Sequence, residues 1–199
     1  MKTMSSLRFD SVQARLGCGL LAALSLSAAD FTWQGAASGA WNETDANWSG
    51  AGSVWTNGPD NSAAFGASST QAVAASAVTL SNLTFAADGY SISGGPLLMH
   101  GSPSVGAALT ATLAAPVTNV GVWAKGGTGT LVLAPEGAVS NVFYALKAAT
   151  GTVVVACGTN LVTQYGSNPE SGPAYWVSGG TLVVGGGLLR TTSGPYARV

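Results

Sequence analysis

A four-residue element recurs in this chain and restricts what it can fold into. Gly95-Pro96-Leu97-Leu98, Gly129-Thr130-Leu131-Val132, Gly151-Thr152-Val153-Val154 and Gly180-Thr181-Leu182-Val183 share the form Gly, Thr or Pro, aliphatic, aliphatic. Their glycines stand 34, 22 and 29 residues apart. Spacings of roughly 20 to 50 residues mark solenoids and repeat arrays, because a unit that cannot bury its inward face alone must stack on its neighbours. Glycine also supplies the positive φ angles that sharp corners demand. Unequal spacing suits a β-helix, whose corner loops can differ in length without disturbing the stack. The expected fold is therefore all-β, a parallel β-helix. An antiparallel β-sandwich, with turns about every 8 to 12 residues, is the alternative.

Local patterning agrees from about residue 73 onward. Val78-Thr79-Leu80 and Leu83-Thr84-Phe85 each alternate with period two, and Ser81-Asn82 between them shifts the phase by one. Such a shift predicts two short strands joined at a corner, each pointing one face inward. Leu109-Thr110-Ala111-Thr112-Leu113 alternates cleanly, with Thr outward, and Pro116 ends it because proline cannot donate to a ladder. Phe143 to Ala149 has some helical propensity, but its aromatic and β-branched surroundings favour a strand.

Ahead of these strands lies an aromatic head. Four of the six tryptophans, Trp33, Trp41, Trp48 and Trp55, fall between residues 33 and 55, separated by Gly, Ser, Ala and Asn. Two readings compete for them. The rings can bury against one another and cap the open end of the first turn, where a solenoid exposes core and strand edges. Alternatively Trp41, Trp48 and Trp55, spaced every seven residues, can form a platform for stacking sugar rings. The cap is the favoured reading.

Composition narrows the function classes. Only 8% of residues are charged and the formal net charge is -1, against about 25% charged in ordinary soluble domains. Binding to nucleic acid or an anionic membrane therefore has no electrostatic basis. Residues 1-29 read as a secretion signal. Lys2, Arg8 and Arg15 precede the short apolar stretch Leu16 to Ala28, and Ser27-Ala28-Ala29 offers small residues before a cut at Asp30. That stretch is shorter than the roughly 20 residues a membrane span needs, so no span is expected in the mature part. Removing the signal leaves Cys157 as the lone cysteine, which excludes an internal disulfide. Residues 30-72 are then a Trp-rich N-terminal cap and residues 73-199 the β-helix turns.

The chain resembles the autotransporter-associated β-strand repeat proteins of bacteria. That family's repeat has a Lys-x-Gly-x-Gly-Thr-Leu-x-Leu core. Lys125-Gly126-Gly127-Thr128-Gly129-Thr130-Leu131-Val132-Leu133 is similar to it, with one extra residue before the second glycine. Val117 to Trp123 looks like the strand that leads in, and the Trp head looks like the segment often placed before such repeats. Leu83-Thr84-Phe85, followed by Gly89 to Gly95, is similar to the next two strands. The resemblance covers most of residues 31 to 185. It implies a right-handed parallel β-helix in a secreted or surface-displayed, outer-membrane-associated protein. Members often carry further repeats and a C-terminal barrel or sorting signal, so the chain is expected to be a truncated N-terminal segment.

Residues suited to catalysis are sparse. Polysaccharide lyases and hydrolases occur on β-helices, and glycoside hydrolysis uses two carboxylates flanking the scissile bond. From residue 61 onward the carboxylates are Asp88, Glu136 and Glu170, dispersed in turn-like contexts. Lys125, Lys147 and Arg190 are isolated, and His100, the only histidine, sits in a turn-like Met-His-Gly-Ser-Pro stretch. Gly126 to Thr130 lacks the Lys-Ser/Thr helix start of a phosphate loop. Asp45, Asp60 and Asn61 offer weak calcium ligands but read more simply as turn residues. The expectation is a non-enzymatic, structural or adhesin-like passenger with no cofactor and no metal. Its expected partners are surface glycans or other cell-surface proteins. The alternatives are a carbohydrate-binding module using Trp41, Trp48 and Trp55, or part of a lyase or hydrolase with acids outside this chain.

Overall fold

The computed structural model describes residues 28-136, 140-163 and 175-191. The expected signal segment, apart from Ala28 and Ala29, lies outside them, as do Glu170 and the last residues from 192 onward. Among the described residues every regular element is a β-strand.

The strands stack into three parallel sheets, one per side of a solenoid. One turn is β4 (Ser62–Phe65), β5 (Ala72–Ala75) and β6 (Val78–Leu80); the next is β7 (Leu83–Phe85), β8 (Tyr90–Gly94) and β9 (Leu97–Met99). A third follows with β10 (Pro103–Val105), β11 (Thr110–Leu113) and β12 (Val117–Lys125). Beyond it come β13 (Thr130–Leu133), β14 (Ser140–Ala148), β15 (Gly151–Val155), β16 (Thr159–Val162), β17 (Tyr175–Val177), β18 (Gly180–Val184) and β19 (Leu188–Thr191). The first sheet runs β10-β7-β4-β1-β3, where β1 is Asp30–Trp33 and β3 is Trp48–Gly50. The second runs β18-β15-β13-β11-β8-β5-β2, where β2 is Ala40–Trp41. The third runs β19-β16-β14-β12-β9-β6.

The sandwich alternative fails on pairing. Among the described residues every strand pair is parallel except β1 with β3. Parallel pairing needs a long crossover between partners, and here each crossover is the rest of a turn. The antiparallel strand lies at the outer edge of the first sheet, beside β1. It occupies the edge on which another parallel strand would otherwise pair.

The expected corner at Ser81-Asn82 is present. β6 belongs to the third sheet and β7 to the first, and Val78, Leu80, Leu83 and Phe85 all point inward. Three of the four repeat elements stack in register: Thr130 on Thr152 on Thr181, and Leu131 on Val153 on Leu182. The fourth does not. Leu97 pairs with Val78 and Val117 in the third sheet. The true equivalents in the second sheet are Ala111 and Tyr90, which stack below Leu131. Tyr90, Ala111, Leu131 and Val153 are thus successive positions of one column, which sets the turn at about 21 residues.

β12 and β14 are long because each rounds a corner. Val117 to Asn119 pair with β9, whereas Val122 to Lys125 run alongside the second half of β14. The pairing is irregular between Asn119 and Val122, and an extra residue at such a point bends a strand.

The boundary expected at residue 72 is not a break in the fold. β4 lies before it, yet pairs in parallel with both β1 and β7. Phe65 of β4 touches Trp33, Trp41 and Trp48 on one side and Phe85 and Tyr90 on the other. Head and turns share one core.

Candidate functional site

The tryptophan head was the leading candidate for a binding surface. Trp41, Trp48 and Trp55 form a triangle with ring centroids 5.1–5.2 Å apart. Phe31 packs 4.8 Å from Trp55, and Trp33 packs 5.1 Å from Trp48. All four indoles are at most 3% exposed. A sugar platform needs accessible ring faces, so Trp41, Trp48 and Trp55 do not supply one here. Their faces are turned on one another and fill the core of the first turn. The seven-residue spacing brings them together because intervening Gly and Asn turns reset the strand phase between them.

The polar atoms of the head serve the same end. Trp33 Nε1 donates to Thr70 O (2.9 Å) and Trp55 Nε1 to Asn57 Oδ1 (2.9 Å). Buried Asn47 accepts from the amides of Ala37 and Ser38 and donates to Ala40 O. Hydrogen bonds from Ser38, Asn42 and Thr44, the first being the largest influence, hold the Asp45 carboxyl below the usual carboxylate range. Asn61, weighed with Asp45 and Asp60 as a calcium ligand, instead receives the amide of Ala29 and donates to Thr56 O. No three acidic, histidine or cysteine side chains among the described residues converge on a point that could hold a metal.

Asp88, Glu136, His100 and Cys157 lie on separate corners. Asp88 is exposed ahead of β8 and receives the amide of Thr110 at 2.6 Å. Glu136 and His100 are exposed at separate corners, after β13 and β9. Cys157 is a free, exposed thiol just after β15, donating weakly to Pro135 O. No nucleophile, base and acid stand together among these.

Two features escaped the sequence reading. The first is Lys125, expected to be an isolated charge and in fact fully buried at the end of β12. Its ammonium donates to the carbonyls of Gly127 (2.6 Å), Gly129 and Thr150 (3.1 Å). Burial draws its pKa below the ordinary lysine value, while the three carbonyls oppose that by favouring the charged form. The glycine-rich run after it is therefore occupied by the chain's own cation, not by a phosphate. The signal was present in the Lys-Gly-Gly-Thr-Gly run, since closely spaced glycines let carbonyls turn toward one point.

The second is a buried asparagine set on the third sheet. Asn141 stacks on Asn160 and donates to its Oδ1 at 2.8 Å, while its own Oδ1 receives the amide of Val117. Asn119 donates to the carbonyls of Met99 and Gly101. These residues sit at inward phases otherwise held by Val, Leu or Met, and that is the only trace they leave in the sequence.

On the outside, Val120, Val122 and Tyr144 are exposed around the β12 irregularity. Among the described residues no helix is long and apolar enough to cross a membrane.

These features define a parallel β-solenoid in which buried Asn47, Asn119, Asn141 and Lys125 bond to its own backbone. No family model matches the chain, and neither a curated protein nor a solved structure matches it significantly.

Proposed function

We propose that this chain is a non-enzymatic structural segment: a secreted or surface-displayed rod of the autotransporter-passenger, adhesin-like kind, extended by further repeats. The observation that carries the reading is the use of its aromatic and polar side chains. The indoles seal the head, Asn119, Asn141 and Lys125 bond to backbone, and Asp88 and Glu136 lie apart on corners. A stack of parallel strands about 4.8 Å apart makes a stiff spacer, and seven strands span roughly 30 Å. Few charges and a hydroxyl- and amide-rich outer face suit a spacer that does not attract unrelated partners. On this reading, contacts with surface glycans or other cell-surface proteins fall to the outer faces and corners, where Val120, Val122 and Tyr144 are exposed.

Two measurements test it. Incubated with a panel of neutral and acidic polysaccharides, the purified chain is expected to release neither reducing ends nor unsaturated products; turnover of any of them would overturn the non-enzymatic reading. Expressed with its own N-terminus in a Gram-negative host, it is expected to leave the cytoplasm, with cleavage ahead of Asp30. Retention of the uncleaved chain in the cytoplasm would overturn the display reading.

A further inference from the structure

Lys125 is a fully buried cation whose three acceptors are all main-chain carbonyls. They come from two successive turns: Gly127 and Gly129 from the corner after β12, and Thr150 from the corner after β14. The geometry is built by glycine. Gly127 (φ +69°) and Gly151 (φ +63°) both hold left-handed backbone. A side chain on Gly151 would collide with the Lys125 ammonium and with Gly127 O. Thr150 reinforces the corner, its hydroxyl donating to Gly127 O (3.0 Å) and its amide to Lys125 O (3.2 Å). Converging carbonyls carry partial negative charge and repel one another when nothing positive lies between them. Rings of carbonyls of this kind are how proteins replace the hydration shell of a monovalent cation.

We propose that the carbonyls of Gly127, Gly129 and Thr150 form a cage for an ammonium-sized monocation, with the Lys125 side chain as its tethered occupant. The positive charge, and not the aliphatic stem, then holds these two turns in register. Emptying the cage by Lys125→Ala creates a site for a free small cation of the same class.

The test is chemical rescue. Lys125→Ala is expected to melt roughly 5 to 10 °C below the parent, the effect of unsatisfying several buried carbonyls in a chain of this size. Ammonium or methylammonium chloride should restore part of that loss in a saturable manner, because a ligand that binds only the folded state raises its stability. Tetramethylammonium chloride at equal ionic strength should not, being too large and lacking N–H donors. Lys125→Met, which fills the space without charge, should be destabilised and indifferent to all three salts. Parent-like stability of Lys125→Met, or equal responses of Lys125→Ala to ammonium and tetramethylammonium, would overturn the proposal. Should Lys125→Ala fail to fold, ¹⁵N spectra of the parent chain decide: a slowly exchanging lysine NH₃⁺ signal is expected, and its absence would count against the cage.

Discussion

Trp33 and Trp41 are buried almost equally but differ in one hydrogen bond. Trp33 Nε1 has Thr70 O, whereas Trp41 Nε1 has no partner. An unsatisfied buried donor costs free energy, and a satisfied one contributes about 1 kcal/mol. Replacement by Phe removes similar volume at both sites. Trp33→Phe should therefore lower stability by roughly 1 kcal/mol more than Trp41→Phe, read as the difference in denaturation free energy. Equal losses would show that the Thr70 bond contributes nothing net. Each indole buries on the order of 200 Å², so the head is among the strongest apolar contributions in the molecule. Cluster membership was legible from the crowding of Trp in a Gly/Asn-rich stretch. Which indoles find hydrogen-bond partners was not, since Thr70 lies 37 residues from Trp33.

Between elements, Tyr175 ties three strands together. Its hydroxyl on β17 lies 2.6 Å from Arg190 O of β19 and 3.2 Å from Asn160 O of β16. Burial pushes its pKa up to about 12. A tyrosine unfolds to a pKa of about 10. The folded state therefore holds its proton more tightly, and the stabilisation is complete below about pH 10 and lost as pH rises toward about 12. Wild-type chain should be more stable than Tyr175→Phe at pH 8, and the gap should close between about pH 10 and 12 in denaturant titrations. A constant gap across that range would rule Tyr175 out as the titrating group. At this scale the sequence showed the strands and corners well. Val78-Thr79-Leu80 and Leu83-Thr84-Phe85 carry their own inward and outward faces, because alternation is a local property. It misplaced Gly95-Pro96-Leu97-Leu98, because a glycine and two aliphatic residues look the same on any of the three sides of a turn.

Among the described residues the first and last turns differ. The first turn closes on a packed indole cluster and an antiparallel strand. In the last described turn the inward residues are more open: Val184 is 47% exposed and Leu182 and Leu189 are partly exposed. In stacked repeats, stability is a sum of local terms between neighbours, so the ends can open separately. Amide hydrogen exchange should be slowest in β7 to β15 and fastest, among the described strands, in β18 and β19. Uniform protection across all turns would show that the solenoid opens as a single unit.

The sequence by itself determined the class of fold. Period-two patterning, glycine at corners and a recurring aliphatic pair leave few ways to bury the apolar faces, and stacking turns is one that works at this spacing. It also determined that the first tryptophans belong together. Only the tertiary structure decided what those side chains face. Whether Trp41, Trp48 and Trp55 meet solvent or each other depends on how β1, β2 and β3 close over β4, which no local pattern records. Likewise only the stacking of Thr150 above Gly127 and Gly129 turned Lys125 from one of seven basic residues into a buried cation. Its partners lie up to 25 residues away, and a carbonyl's direction is set by the backbone and not by the residue type.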